Sequence, residues 1–162
     1  GGFPASYCEE GLPPAEYAAQ VMAQVEARFA DVPQIMAEPG RGLVAEAGAI
    51  AAEVLLVSRK HARDLHRWVY LDTGMFSGLA ETMGEAIRYR ITTERSHEPT
   101  GPCILAGPSF DSADVLYEKQ PYQLPLGLAA GDRVVIHSAG AYTSTYASVG
   151  FNGFPPLDVV VI

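Results

Sequence analysis

Cysteine, lysine, tryptophan and long apolar runs are all scarce in this chain. The two cysteines, Cys8 and Cys103, are too few for a disulfide framework and point to a reducing compartment, the cytoplasm. No apolar run reaches the roughly 18 residues of a membrane span, and no signal peptide leads the chain. His61, His66, His97 and His137 show no metal-ligand spacing, such as an i, i+4 pair beside a carboxylate. There is no Gly-x-Ser-x-Gly elbow, no Walker loop, no internal repeat and no low-complexity tract. Positive charge is in deficit. Eleven Lys and Arg against 19 Asp and Glu leave a net charge of −8, which argues against nucleic acid and anionic membranes and suits a cationic small molecule. Apolar residues are plentiful, at 48% of 162 against 19% charged. That is enough to pack one average domain, or pieces of two.

The most informative stretch is Glu38-Pro39-Gly40-Arg41, directly after a short apolar segment. Proline fixes φ, and glycine lets the backbone approach a bound anion closely. The Arg41 guanidinium is a planar fork suited to phosphate. The Glu38 carboxylate can hold a nearby ring nitrogen protonated. Phosphate at one end and a protonated pyridine at the other describe pyridoxal phosphate. Taken alone, the tetrapeptide is only a turn.

The first third of the chain reads as α/β. After Pro13-Pro14, the residues Tyr17, Val21, Met22, Val25 and Phe29 recur at helical spacing and predict an amphipathic helix over about 14–30. Residues 34–37 then read as a short buried strand. Helix, strand and functional turn together read as the last unit of a (β/α) barrel, whose sites lie at the strand's C-terminal end. Beyond Arg41, strands are predicted at 49–59, 68–72, 87–93, 103–106, 115–117, 133–138 and 159–162, separated by Gly/Pro turns. The expected fold class is therefore α+β: the end of a TIM-like barrel over 1–45, then an antiparallel all-β barrel or sandwich over 46–162. The opening Gly1-Gly2-Phe3-Pro4 lacks an initiator methionine and reads as the interior of a glycine-rich phosphate loop, so a fragment is expected.

Several motifs, in order along nearly the whole chain, now carry a resemblance. They are Gly1-Gly2-Phe3-Pro4, Glu38-Pro39-Gly40-Arg41, Trp68-Val69-Tyr70-Leu71-Asp72, Gly107-Pro108-Ser109-Phe110-Asp111-Ser112, Gly140-Ala141-Tyr142 and Gly150-Phe151-Asn152-Gly153-Phe154. Together they resemble the C-terminal part of the fold-type III, pyridoxal-phosphate-dependent decarboxylases of ornithine, lysine, diaminopimelate and arginine, most closely the bacterial ornithine/lysine branch. The resemblance implies an alanine racemase-like C-terminal domain. It also implies that Gly2, Gly40, Arg41 and Tyr142 contact the cofactor phosphate, with Pro39 shaping the turn and Glu38 at the pyridine nitrogen. Asp111 would bind the distal ammonium of the substrate across the interface of a homodimer. The segment 79–85 resembles the short helix that sets side-chain length selectivity, with Glu81 or Glu85 available to a cationic substrate, and Phe151 would close the cleft.

Two departures accompany the resemblance. Phe110 stands where the family has a cysteine that steers protonation, and a phenyl ring has no proton to give; Cys103, seven residues earlier, does not replace it. The lysine that links covalently to the cofactor belongs upstream of the glycine loop, and only Lys60 and Lys119 are present. No catalytic residue is therefore assigned. The chain alone is expected to be inactive and to associate with a second copy or a complementary barrel segment. Two readings follow: the C-terminal segment of a catalytic decarboxylase, or a non-catalytic relative that binds or regulates.

Overall fold

The computed structural model describes residues 1–9, 11–32 and 34–162. Seven strands form one curled sheet: β1 (Ile50–Ser58), β2 (Arg67–Leu71), β3 (Ile91–Thr93), β4 (Thr100–Ala106), β5 (Val115–Leu116), β6 (Tyr122–Pro125) and β7 (Arg133–Ile136). Their order is β3-β7-β1-β2-β4-β5, with β6 also on β4.

The curl originates in β1. Its first half pairs with β7, from Ile50 opposite Ile136 to Glu53 opposite Arg133. Its second half pairs with β2, from Val54 opposite Leu71 to Ser58 opposite Trp68, with a register shift between Val54 and Leu56. Such an irregularity bends the strand and raises its twist. Ile50, Ala52 and Val54 alternate inward while Ala51, Glu53 and Leu55 face out, the period of a strand with one buried face. The concave face gathers Val54, Val69, Leu71, Leu105, Leu116, Leu124, Val134 and Ile136, all fully buried. Met75, Leu79, Tyr89, Tyr117 and Leu128, from the connecting segments, close over them. A smaller cluster of Trp68, Ile104 and Ala106, flanked by Tyr70 and Val115, lies apart from this core.

Two buried tyrosines organise the segment before β3. The Tyr89 N–H donates to the Tyr117 hydroxyl at 3.0 Å, which donates in turn to the Ile87 carbonyl at 3.2 Å. The Ile91 N–H donates to the Tyr122 hydroxyl at 2.9 Å, and that hydroxyl donates to the Tyr89 carbonyl at 3.0 Å. Ile87 and Tyr89 thus spend backbone groups on side chains, which is why the strand expected from 87 begins at Ile91. The buried Arg67 is likewise met by the carbonyls of Leu124 and Pro125, both at 2.7 Å.

Four expectations are corrected. The sheet is mixed rather than wholly antiparallel, because β2 and β4 run parallel. The chain leaves β2, makes β3 elsewhere in the sheet and returns to β4 from the same end, the crossover that parallel pairing requires. The helix α1 is shorter, Pro14–Glu26, with no buried residue. Residues 34–37 form no strand: Ile35 and Met36 are exposed and no partner strand lies beside them, and an unpaired strand leaves its backbone groups unsatisfied. Residues 159–162 are likewise exposed and unpaired. The described residues thus show one sheet, the helix α1 and several shorter helical turns.

Candidate functional site

The turn at Glu38–Arg41 leads directly into α2 (Arg41–Val44), followed by a 3₁₀ turn at Ala45–Ala47. This corner is held against the segment after β7 by two bonds: the Ala139 N–H donates to the Gly48 carbonyl and the Gly140 N–H to the Ala45 carbonyl, both at 2.8 Å. The approach is too close for side chains. A Cβ on Gly140 would collide with the Val44 carbonyl, and one on Gly48 would lie 2.6 Å from the Gly140 Cα. The N-terminal loop reaches the same corner, since a Cβ on Gly42 would lie 2.8 Å from the Phe3 Cβ.

This packing brings distant candidates together. Gly1 abuts the Glu38 carbonyl and Gly40 abuts the Tyr142 hydroxyl, each at 3.6 Å from where a Cβ would stand. Gly2 has φ +84° and open space around it. The Arg41 guanidinium carbon lies 5.0 Å from the centre of the half-exposed Tyr142 ring. Tyr142 itself has φ +54°, and the next residue anchors the bend through a 2.6 Å bond from the Thr143 hydroxyl to the Ala139 carbonyl. Glu38, in contrast, is exposed and Pro39 half-buried.

Arg41 has five N–H groups. Its Nη1 donates to Glu81 Oε2 at 2.7 Å and to the Tyr7 hydroxyl at 2.6 Å, and its Nη2 donates to Glu81 Oε1 at 2.6 Å. The bond to Glu81 holds the guanidinium protonated above its ordinary range, against the opposing effect of burial, and Tyr7 adds to it. Two donors remain without a partner among the described residues: Nε–H and the outer Nη2–H, side by side along one edge. That edge, the Tyr142 hydroxyl and the glycine backbone form a donor set that fits a phosphoryl group.

The other candidates sit elsewhere. Asp111 is exposed on the loop between β4 and β5, where its carboxylate accepts the Ala113 N–H at 2.8 Å. Phe110 beside it has φ +62° and is 97% exposed, an unusual place for a phenyl ring. Both line a cleft of about 710 Å³ with Leu55, Trp68, Tyr70 and Glu118. None of the phosphate candidates reaches that cleft. Glu85, at φ +65°, accepts the Lys119 N–H at 2.6 Å. Phe151 packs on Phe76 with ring centres 4.4 Å apart. Lys60 lies over the Trp68 ring at 3.6 Å. Cys103 is in the core, its thiol pushed up to about 11 by burial, so it has no access to the Phe110 position. Among the described residues no cluster of three metal-ligating side chains occurs.

One pairing and one residue escape a reading of the sequence. Glu81 carries no signal of its pairing with Arg41, 40 positions away. Asp114, fully buried, accepts the Met75 N–H at 2.7 Å, the Ser109 hydroxyl at 2.6 Å and the Ser109 N–H at 3.2 Å. It thereby fixes the loop that presents Phe110 and Asp111. Its only signal is the pair of glycines, Gly74 and Gly107, that leave room for the carboxylate. Asn152 braces the same loop, donating to the Ser109 carbonyl at 2.7 Å.

Residues 16–140 match the family described as pyridoxal-dependent decarboxylase, C-terminal sheet domain. A diaminopimelate decarboxylase of Helicobacter pylori is 34% identical over 124 residues, covering 76% of this chain and 29% of that protein. One from Staphylococcus aureus is 28% identical over 79% of this chain and 30% of that protein. Among solved structures, a lysine/ornithine decarboxylase of Vibrio vulnificus complexed with cadaverine superposes with a TM-score of 0.80 at 32% identity, over 96% of this chain and 40% of that one. The chain thus spans well under half the length of these relatives.

Proposed function

The chain belongs to the pyridoxal-dependent decarboxylases that share this C-terminal sheet domain, and from that premise we propose that it is the C-terminal portion of a cytoplasmic enzyme that decarboxylates ornithine or lysine. The products are putrescine or cadaverine. The observation that carries this reading is the free edge of Arg41 beside Tyr142 and Gly40, a ready cradle for the cofactor phosphate.

In this reading residues 1–45 complete the cofactor-binding barrel and residues 46–162 carry the substrate and interface residues. The backbone of Gly2 and Gly40, the Arg41 fork and the Tyr142 hydroxyl hold the phosphate, while Pro39 sets the turn. Glu38 accepts a hydrogen bond from the pyridine nitrogen and keeps it protonated. Bound pyridoxal phosphate supplies the electron sink that lets the α-carboxylate leave as carbon dioxide. A proton replaces it at the α-carbon, and Phe110 has none to give, so that proton arrives from another group or from water. Asp111 lies on a loop remote from the phosphate cup and pairs with the distal ammonium of a substrate held by a second copy of the chain, which makes the active unit a dimer. Glu85 and Phe151 are the remaining substrate-bordering residues of this reading.

The test is turnover of ornithine, lysine and diaminopimelate by the protein that carries this chain, with and without Asp111→Ala. The expected outcome is release of carbon dioxide from ornithine or lysine. In Asp111→Ala, KM rises at least roughly tenfold for the loss of one charge-assisted contact, with cofactor uptake unchanged. Preference for diaminopimelate would overturn the substrate assignment. Phe110 favours a second reading, a non-catalytic relative; cofactor uptake without turnover of any of the three would establish it.

A further inference from the structure

The pairing of Arg41 with Glu81 has a directional consequence. A carboxylate that takes one hydrogen from each Nη occupies the end of the guanidinium, and Tyr7 takes the other Nη1 hydrogen. One side of the fork is left free, while the guanidinium carbon lies over the Tyr142 ring, 5.0 Å from its centre. Glu81 is held firmly enough to impose this. It sits in the 3₁₀ turn Ala80–Glu85, its carbonyl accepts the Ile87 N–H at 3.0 Å, and the next residue, Thr82, is buried with its hydroxyl donating to the Leu79 carbonyl at 2.6 Å. Leu79 is anchored in the core.

We propose that Glu81 is a positioning residue of the anion site: it clamps Arg41 so that a single edge of the guanidinium is presented to a phosphate group, and it does not read the substrate. This rests on the cofactor reading of Arg41 given above and extends it. The carboxylate end of the clamp lies in the very turn that the resemblance assigns to side-chain selectivity. Glu81 therefore joins the phosphate-holding end of the site to the substrate-sorting turn, and leaves Glu85 as the acidic side chain of that turn not tied to Arg41.

A competing role makes the opposite prediction. If Glu81 merely occupied the arginine in place of the anion, its removal would tighten phosphate binding. Equilibrium titrations of the protein that carries this chain with pyridoxal phosphate, pyridoxal and inorganic phosphate separate the two, for wild type, Glu81→Ala and Glu81→Gln. Loss of an oriented bidentate contact should weaken pyridoxal phosphate and inorganic phosphate roughly tenfold in Glu81→Ala, with pyridoxal within about twofold of wild type. Glu81→Gln keeps one acceptor and should fall between. Tighter phosphate binding in Glu81→Ala would overturn the proposal in favour of competition. Equal weakening of pyridoxal and its phosphate would overturn it in favour of a general structural role. If wild type itself does not prefer pyridoxal phosphate to pyridoxal, and Arg41→Met changes nothing, the cofactor reading falls and takes this inference with it.

Discussion

At the scale of single residues, burial decides which groups have chemistry available. Cys103 is the clearest case. An unfolded thiol loses its proton near pH 9.0, whereas here burial delays that to about 11. Between those values the unfolded chain binds fewer protons than the folded one, so stability is complete below pH 9.0 and drains away as pH rises toward 11. Two pH units correspond to on the order of 2–3 kcal/mol. Urea midpoints at pH 8 and pH 10 should fall more steeply for wild type than for Cys103→Ala; parallel slopes would show that the thiol is not buried. The contrast with Phe110 is instructive. The sulfur is where no substrate can reach it, and the exposed loop tip carries a ring that cannot protonate anything. Both facts follow from the alternation that turns Cys103 inward on β4 and from a loop fixed by Asp114.

At the scale of elements, the corner at Arg41–Gly48 and the segment at Ala139–Tyr142 act as one unit, joined where Gly48 meets Gly140. A methyl group at position 140 would strike the Val44 carbonyl, which belongs to backbone and cannot swing aside. Gly140→Ala should therefore cost about 2–4 kcal/mol, a melting midpoint lower by roughly 5–10 °C, and it should weaken pyridoxal phosphate binding along with it. An unchanged midpoint would show that the two segments do not pack as described. Much of this architecture is readable in the sequence. Ile50–Ser58, Arg67–Leu71, Thr100–Ala106 and Arg133–Ile136 carry alternating or continuous apolar runs, and each was expected within a few residues. Tyr122–Pro125 was not expected, because Pro121 and Pro125 bracket a run of three residues that reads as loop. The parallel β2–β4 pairing has no local signature, since direction is set by the route of the connection. Of the site, the Glu38–Arg41 turn is legible by residue type and spacing, whereas Tyr142 is singled out only through the family resemblance. The Arg41–Glu81 pair does not, because it is made by folding across 40 residues.

At the scale of the whole molecule, the sheet is well packed on its concave face and poorly covered elsewhere. Val21, Met22, Phe29, Ile35, Met36, Leu55, Leu56 and Phe110 are all exposed, more apolar surface than a monomer ordinarily leaves bare. Sedimentation velocity at tens of micromolar should therefore reveal self-association, and Leu56→Glu should shift the distribution toward monomer if the cleft face is the contact. A monomer at every concentration would refute this. The closure of the sheet also has a temporal side. β1 cannot complete its first-half pairing until β7 exists, and about 75 residues lie between them. At roughly 5–20 residues per second on a ribosome, β1 waits on the order of 4–15 s with Ile50 and Ala52 lacking their final neighbours. The first strand of this sheet is among the last to be sealed, so the newborn chain depends during that interval on whatever shields an open edge, and slower translation through residues 60–130 lengthens its exposure.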